Sequence, residues 1–323
     1  MKILVSDSTY APFNLATEEF LLKHTSDSFL FLYIDEPCIV IGKHQNTYNE
    51  INFAYTNNHN IPIFRRLSGG GTVYHDEGNI NFCFITSGEE KSKLVDFTHY
   101  TQQILDALKD QNINAEMGGR HDLLINNKKI SGNASHVFKN RVMHHGTLLF
   151  NSNLANLSET LKTDPNKYQG HSVKSVRSMV TTISANTTSE LSISIFMNSL
   201  MRFFIKKYPS TYVLSDQDYE FIKNLSVTKY ETWEWNYGYS PNYEFKKRIT
   251  LINTLTLVIN LHVSKGAITE AIISANKWNE EIQTISKSVK GLNHDLNTVR
   301  NHILNPLYLL GLSPTQNEEY LFF

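Results

Sequence analysis

The segment "RRLSGGGTVYHDEGN" at residues 65–79 places two arginines shortly before three consecutive glycines. Guanidinium groups suit carboxylate and phosphate oxygens. Glycines allow a turn with positive φ or a close approach of the backbone to a ligand. The run has neither the Gly-Lys-Ser/Thr ending of a P-loop nor the GxGxxG of a dinucleotide-binding turn. It indicates an anion site of another kind, with a solvated arginine pair beside a hairpin turn as the structural alternative.

Two later segments carry further polar candidates. In "NNKKISGNASHV", Lys129 precedes a small Ser-Gly pair. A lysine aimed into a cavity can hold a carboxylate and a phosphate together and neutralise the charge that develops when they react. The alternative is an ordinary surface lysine in a hairpin. In "RVMHHGTLLF", His144 and His145 are neighbours on a predicted strand and point to opposite faces, which favours a structural or substrate-lining role over a metal site.

Composition limits the class of protein that could carry this chemistry. The 323 residues include 30 basic and 31 acidic side chains. The chain therefore lacks the excess of basic residues that is typical of nucleic-acid-binding proteins. No apolar run reaches the roughly 18 residues of a membrane span, and the N-terminus has no apolar signal segment. These features predict a cytoplasmic protein without a membrane partner. Cys38 and Cys83 lie in apolar, strand-like runs and are expected to be buried thiols.

The elements that must position these residues follow from the hydrophobic periodicity. Up to residue 151 the chain reads as a helix, two strands, a strand entering the glycines, an alternating strand, a second helix, a strand–turn–strand unit and a further strand. This order predicts an α+β domain with a mixed, mostly antiparallel sheet. Later residues are more helical. A Trp- and Tyr-rich segment suggests a linker at about 228–246, so the prediction is a large domain at 1–246 and a small α/β domain at 247–323.

The longer motifs resemble one family. "RRLSGGGTVYHDEGNINFCF", "GRHDLLINNKKISGNA", "HHGTLLFNSNL" and "SVRSMVT" occur in the order seen in lipoate–protein ligase A enzymes. "IGKHQNTYNEIN" and "WEWNYGYSPNYEF" are also similar to family segments, so the resemblance covers nearly the whole chain. It implies the fold shared with biotin–protein ligases. It also implies a two-step reaction in which lipoate, ATP and Mg²⁺ give lipoyl-AMP and pyrophosphate, after which an acceptor lysine takes the lipoyl group.

The resemblance also implies roles for individual residues. Lys129 matches the lysine that touches the lipoyl carbonyl and the nucleotide phosphate, and we treat it as the catalytic residue. Asp122 could help to hold Mg²⁺ or the acceptor lysine, although His121 replaces the asparagine that precedes it in the family. The predicted ATP and lipoyl-AMP contacts, besides Lys129, are Arg66, Gly71, Thr72, Val73 and Tyr74. The predicted lipoate contacts, besides Lys129, are Gly70, His145 and Gly146.

The implied acceptors are lipoyl domains of 2-oxoacid dehydrogenase complexes, the glycine cleavage H protein, or both, and the enzyme is expected to be a monomer. Three alternatives stay open at this point. One is an octanoyl or lipoyl amidotransferase of the same fold, which would use a cysteine thiolate and no ATP. Another is a biotin–protein ligase, although the Arg-Gly-Arg of that family is absent. The third is an inactive paralogue that only binds lipoate or a carrier protein.

Overall fold

The computed structural model describes residues 1–88, 95–119, 121–164, 166–187, 191–251, 255–313 and 315–323. Two parts of the predicted pattern lie outside the described residues: Arg120 of the "GRHDLL" motif, and residues 252–254 within a strand-like run.

Fifteen strands occur in these ranges. They are β1 (Lys2–Val5), β2 (Phe29–Tyr33), β3 (Cys38–Ile41), β4 (Ile63–Arg65), β5 (Val73–His75), β6 (Asn79–Ser87), β7 (Glu116–Met117), β8 (Leu123–Ile125), β9 (Lys128–Ser131), β10 (Asn133–Phe138), β11 (Arg141–Leu149), β12 (Tyr168–Gly170), β13 (Tyr243–Thr250), β14 (Thr256–Ser264) and β15 (Ala267–Ala275).

Ten α-helices occur in the same described ranges. They are α1 (Ala11–Lys23), α2 (Thr47–Glu50), α3 (Phe53–Asn58), α4 (Phe97–Asp110), α5 (Leu154–Thr160), α6 (Ile193–Lys207), α7 (Asp216–Leu225), α8 (Asn279–Ser288), α9 (Leu296–Thr298) and α10 (Asn305–Leu309). A π-helical turn, Ser226–Tyr230, extends α7, and another, Val299–Leu304, joins α9 to α10. None of the described helices is long and apolar enough to cross a membrane.

One compact unit contains Met1–Lys43, Pro62–Ser158 and Val176–Glu231. Its main sheet has the strand order β1-β2-β6-β11-β10. Only β1 and β2 run parallel, and every other neighbouring pair is antiparallel. This confirms the predicted mixed, mostly antiparallel sheet. Strand β6 pairs with β11 in a register that places Cys83 opposite His145.

The two faces of this sheet are covered differently. Alternating side chains such as Leu30, Phe82 and Phe84 join an apolar core with α4 and α6. In that core the Phe84 and Phe204 rings meet edge to face with centroids 5.9 Å apart. The opposite set of side chains faces α1, whose residues from Ala11 to Leu22 are all buried. Helix α1 therefore brings its own carboxylates into the interior.

Two small sheets of this unit place the predicted site. Strand β3 lies between β4, which is parallel to it, and β5, which is antiparallel. Residues 66–72, here called the glycine loop, connect β4 to β5. Because β4 and β5 flank β3 and do not pair with each other, the glycine loop crosses the end of β3 and is not the turn of a hairpin. The second small sheet, β7-β8-β9, carries Lys129.

The other unit contains His44–Ile61, Glu159–Ser175 and Thr232–Phe323. Its antiparallel sheet has the order β12-β13-β14-β15. Strand β12 comes from the middle of the chain and pairs Tyr168 with Phe245 of β13. The division differs from the predicted boundary at residue 246, and the predicted linker contains a π-helical turn, Glu234–Gly238, and the start of β13. The roles assigned to the two domains remain predictions.

Candidate active site

Two features favour glycine at position 70, the middle of the three consecutive glycines. Gly70 has a φ of +88°, which L side chains rarely adopt. A Cβ built on Gly70 would lie 3.1 Å from Nη2 of Arg66 and 3.7 Å from Cβ of Ala134. The loop therefore passes close to Arg66 and strand β10, and a Cβ at position 70 would require the guanidinium group to shift by a few tenths of an ångström.

Arg66 stabilises the glycine loop through hydrogen bonds to its backbone. Its Nη2 donates to the carbonyl oxygens of Gly69 and Gly71, at 2.7 Å each. Its Nη1 donates to the carbonyl of Val40 on β3 at 3.1 Å, and its Nε donates to Ser68 Oγ at 2.9 Å. Each of the three guanidinium nitrogens thus has a protein acceptor. These four bonds engage a group with five N–H donors, so a nucleotide phosphate could reach the guanidinium through Nη1 or by sharing or replacing some of these bonds.

Both arginines of the pair are buried, so the solvated alternative is wrong. Arg65 is 0% exposed, and its Nη1 donates to the carbonyls of Gly42 and Lys43. Arg66 is 6% exposed. Burial lowers the pKa of Arg66 to about 10, and the negative charge of Glu18 opposes that shift. Arg66 is therefore still a cation at neutral pH.

Lys129 is fixed through its backbone and left open at its tip. Its N–H donates to the carbonyl of Met179 at 2.8 Å, and its carbonyl accepts from the N–H of Thr181 at 3.0 Å. Its ammonium lies 2.9 Å from Oδ1 of Asp122, with side chains 27% and 20% exposed. A Cβ on Gly132 would come within 3.1 Å of the ammonium nitrogen. The glycine after the serine thus leaves space for this ammonium group.

The corner before β8 accommodates the departure from the family motif. His121 has a φ of 59°, a left-handed conformation in which Asn, Asp and His are the favoured non-glycine residues. Its ring stacks on Phe97 with centroids 4.8 Å apart, and its carbonyl accepts from Nδ2 of Asn133 at 2.6 Å. Histidine can therefore replace asparagine here and still place Asp122 beside Lys129.

The two histidines of β11 point to opposite faces, as expected. His144 faces α4, where its ring stacks on Tyr100 at 4.4 Å. His145 faces α1: its Nδ1 lies 2.9 Å from both carboxylate oxygens of Glu18, and its Nε2 lies 2.6 Å from Ser68 Oγ. Contact between His145 and lipoate through a ring nitrogen stays a prediction, and it would require one of these bonds to open.

The remaining predicted contacts cluster around the loop and β11. A Cβ on Gly146 would lie 2.5 Å from Cζ of Phe82, so close packing within the sheet already requires this glycine. Tyr74 is 2% exposed on β5, where it pairs with Ile39, so its contact with the adenylate stays a prediction. The loop exit that was predicted to line the adenylate also includes Gly71, Thr72 and Val73; of these, Thr72 is buried and the other two are partly exposed.

Sequence reasoning did not identify Glu18 and Ser68 as candidates. Glu18 is 2% exposed and Ser68 is 0% exposed, and each contacts a predicted site residue. One signal was available for Glu18, because two adjacent glutamates stand inside an apolar helix and a buried carboxylate needs a partner. Ser68 had no comparable signal, since serine is ordinary beside glycines.

Among the described residues, two groups of three carboxylate, thiol or imidazole side chains lie close enough to share a metal ion: Glu18, Cys83 and His145, and Asp35, Cys38 and His75. In both groups the carboxylate already bonds the imidazole, at 2.9 Å and 2.8 Å. Burial raises the pKa of both thiols well above the ordinary value, so neither is a ready thiolate ligand. These groups are explained by internal hydrogen bonding.

Comparison with known proteins assigns the class. The family model of the lipoyl protein ligase A/B catalytic domain matches residues 10–205, more than half of the chain, so the chain belongs to this family. It is 38% identical over 300 residues to "Lipoate--protein ligase 1" of Staphylococcus aureus, covering 91% of each protein. The matched region contains the glycine loop, Lys129 and both β11 histidines.

Solved structures share the fold. LipL1 of P. falciparum in complex with lipoate has a TM-score of 0.63 and 23% identity, covering 99% of this chain and 96% of that chain. A lipoate–protein ligase A bound with ATP has a TM-score of 0.62 and 22% identity, covering 74% of this chain and 98% of that chain. At these identities the likeness applies to the fold alone.

Proposed function

We propose that this enzyme is an ATP-dependent lipoate–protein ligase that forms lipoyl-AMP and then transfers the lipoyl group to a lysine of an acceptor protein. The observation that carries the proposal is the presence of two differently held cations in the same unit. Arg66 lies buried under the glycine loop, and Lys129 extends a partly exposed ammonium beside Gly132. Two such charges suit a reaction between a carboxylate and a triphosphate.

In the first step, an oxygen of the lipoate carboxylate attacks the α-phosphorus of ATP. The bond from that phosphorus to the bridging oxygen breaks, and pyrophosphate leaves. Lys129 can release Asp122 and hold the carboxylate and the α-phosphate together, which lowers their repulsion. Arg66 keeps the glycine loop in place for the adenylate. Catalysis here consists of positioning and charge stabilisation.

In the second step, the neutral amine of the acceptor lysine attacks the lipoyl carbonyl, and AMP leaves. The incoming ammonium must first lose a proton. Asp122 stands 2.9 Å from Lys129 at the same corner and is 20% exposed, so its carboxylate can attract that ammonium and accept the proton. We therefore assign Asp122 to the acceptor side of the reaction.

In the first step, before the acceptor lysine arrives, Asp122 also fits a part in holding Mg²⁺. This ion usually keeps several waters and binds through one or two carboxylates together with substrate phosphates. Asp122 offers one such carboxylate and belongs to neither of the internally bonded groups described above. When bound, Mg²⁺ would neutralise charge on the triphosphate.

The acceptors we propose are lipoyl domains of 2-oxoacid dehydrogenase complexes, the glycine cleavage H protein, or both, and we propose that a monomer acts on them in the cytoplasm. The cysteine-dependent amidotransferase is the less favoured alternative. Cys38 is 1% exposed and Cys83 is 0% exposed, and burial raises the pKa of each thiol. A thiol that is inaccessible and protonated is a poor acyl carrier.

The test is to incubate the enzyme with lipoate, ATP, Mg²⁺ and a purified lipoyl domain, and to measure AMP, pyrophosphate and the mass of the domain. We expect the domain to gain one lipoyl group, with AMP and pyrophosphate formed in equal amounts. Leaving out ATP should abolish the mass gain. Acyl transfer from a lipoylated donor protein without ATP would instead indicate the amidotransferase.

A further inference from the structure

A buried chain of polar contacts connects α1 to the glycine loop. The carboxylate of Glu18 bonds Nδ1 of His145 at 2.9 Å, and Nε2 of His145 lies 2.6 Å from Ser68 Oγ. Ser68 Oγ in turn accepts from Nε of Arg66 at 2.9 Å. The four side chains belong to three separate segments, and the most exposed of them, His145, is 8% exposed.

The hydrogen positions along this chain are consistent with a single direction. The Nε of Arg66 can only donate, so Ser68 Oγ accepts there and has its own hydrogen free to donate. If that hydrogen is donated to Nε2 of His145, the Nδ1 that faces Glu18 carries the imidazole hydrogen, a tautomer that fits both contacts. A negative carboxylate at the far end suits this order. Tyr33 adds a further donor to Glu18 at 3.1 Å.

We propose that Glu18 is a positioning residue for Arg66, acting through His145 and Ser68. The proposal rests on the proposed function, because it assigns Arg66 to nucleotide use. When a phosphate enters, the Nη1 and Nη2 bonds of Arg66 to Val40, Gly69 and Gly71 can be shared or exchanged. In this proposal the Nε bond to Ser68 stays in place during that exchange and keeps the plane of the guanidinium group fixed.

The same geometry matches a nucleophile, its base and an orienting carboxylate, as in a Ser–His–Glu triad. Two observations favour positioning. Ser68 is 0% exposed, so an acyl carbonyl cannot reach its hydroxyl oxygen in this conformation. That oxygen also accepts a charged hydrogen bond from Arg66, which withdraws electron density from it.

The experiment compares Glu18→Gln with Glu19→Gln. Glu19 is the adjacent glutamate of α1, is similarly buried, and bonds Lys23, Lys229 and Tyr230, outside this chain of contacts. Pyrophosphate release is measured against ATP concentration at saturating lipoate. We expect Glu18→Gln to lower kcat/KM for ATP by about 10- to 100-fold, the range expected when a positioning error approaches 1 Å. We expect Glu19→Gln to stay within about twofold of the parent.

A double-mutant cycle with Arg66→Lys separates positioning from general damage, because lysine keeps the charge but has no Nε–H for Ser68. In the Arg66→Lys background, Glu18→Gln should change kcat/KM by less than about twofold. Independent, multiplicative losses would overturn the proposal. If Glu18→Gln does not fold, Ser68→Ala tests the same link without altering α1, with the same loss and the same non-additivity expected.

Three further outcomes are decisive. A parent enzyme that releases pyrophosphate, with Glu18→Gln and Ser68→Ala equal to it, would overturn the positioning role and leave the proposed function standing. A parent enzyme that releases none would overturn the proposed function and this inference together. An acyl adduct on Ser68, seen by mass spectrometry of the denatured parent enzyme during turnover, would replace positioning with covalent catalysis.

Discussion

At the scale of single residues, the two cations of the site are held in different ways. Arg66 is buried and uses its guanidinium nitrogens on a hydroxyl and three backbone carbonyls. Lys129 has a partly exposed ammonium that bonds Asp122. An exposed pair of this kind contributes little to stability. Lys129 can therefore exchange its partner for a substrate at small cost, whereas Arg66 shapes the loop that receives the substrate.

This difference predicts the effect of Lys129→Ala. Removing a charge aimed at the reacting groups should lower the rate of pyrophosphate release by about 10²–10³-fold or more. Stability should change by less than about 1 kcal/mol, since the lost ion pair is partly exposed. Lys128→Ala is the matched control, because it alters the exposed neighbour on the same strand. A Lys129→Ala enzyme with the parent rate would contradict the assignment of Lys129.

Gly70→Ala tests the fit between the loop and Arg66. Gly70 and Gly291 share a φ of +88°, but only at Gly70 would a Cβ meet another side chain, at 3.1 Å from Arg66. Both changes to alanine should cost about 1 kcal/mol or more of stability through backbone strain. Only Gly70→Ala should also raise KM for ATP, by roughly tenfold, because it displaces the guanidinium group. Equal KM values in the two variants would count against the role given to this contact.

At the scale of elements, the predicted helices and strands occur in the predicted order, but the short elements β1, α2, α3 and β7 were not predicted. The surroundings of α1 also did not follow from its pattern. Its spacing "PFNLATEEFLLK" indicates a helix. Periodicity does not show that α7 and its π-helical turn also pack against α1. In the structure, Phe13 contacts Tyr219 and Phe20 contacts Phe221. The burial of Glu18 and Glu19 depends on those distant contacts, so the sequence alone did not identify them as site neighbours.

The glycine loop shows the same limit. The motifs predicted an anion site beside Arg65 and Arg66 and indicated Lys129, and the resemblance supplied the roles of Arg66 and Lys129. The alternative of a hairpin turn could be rejected only once β3 was seen between β4 and β5. Strand order depends on pairing between residues far apart in the chain, such as Ile41 with Arg65. A local pattern of alternating residues does not predict which strands pair.

Helix α1 is also expected to show a pH-dependent link to α7. Burial alone would raise the pKa of Glu19, but donors on Lys229, Lys23 and Tyr230 outweigh it, so the pKa falls below 4.5. Burial lowers the pKa of Lys229, although the contact with Glu19 opposes that shift. The stabilisation of the charged state therefore comes from the Glu19 carboxylate, which accepts from three donors. Folding therefore favours the charged carboxylate. Its contribution is complete well above pH 4.5 and is lost as pH falls through the lower folded pKa.

Glu19→Gln should show this dependence in unfolding experiments. At pH 7 the variant should be less stable by about 1–3 kcal/mol, the range for hydrogen bonds to a charged group. The difference from the parent protein should shrink steadily below about pH 4.5. Chemical unfolding at a series of pH values measures it. A difference that stays constant down to pH 3 would show that the charge of Glu19 is not responsible.

The two thiols belong to the packing of β3 and β6. Replacing both with alanine should leave ATP-dependent lipoyl transfer within about threefold of the parent rate, because each thiol is buried and protonated. The expected cost is in stability, roughly 1–2 kcal/mol per site. Unfolding and transfer should be measured on the two single variants and on the double variant. Loss of transfer in a well-folded Cys83→Ala protein would support the amidotransferase.

At the scale of the whole molecule, the chain forms two units whose composition could not be read from one boundary. The second unit gathers His44–Ile61 and Glu159–Ser175 with the C-terminal residues. Its buried contacts explain this grouping, because Tyr48 donates to the carbonyl of His294 at 2.9 Å and Thr47 donates to that of Asn236. A prediction from the sequence assigns neighbouring segments to the same domain. The segments 44–61 and 159–175 instead belong to the unit that contains the C-terminal residues.

The central claim concerns the first unit: that its buried arginine and partly exposed lysine activate lipoate with ATP, without a covalent acyl-enzyme. The most direct measurement mixes enzyme, lipoate, ATP and Mg²⁺ without an acceptor, and follows pyrophosphate together with the masses of the native and denatured enzyme. We predict a burst of pyrophosphate, lipoyl-AMP bound to the native enzyme, and an unchanged mass after denaturation. Absence of pyrophosphate, or an acyl adduct that survives denaturation, would contradict the account.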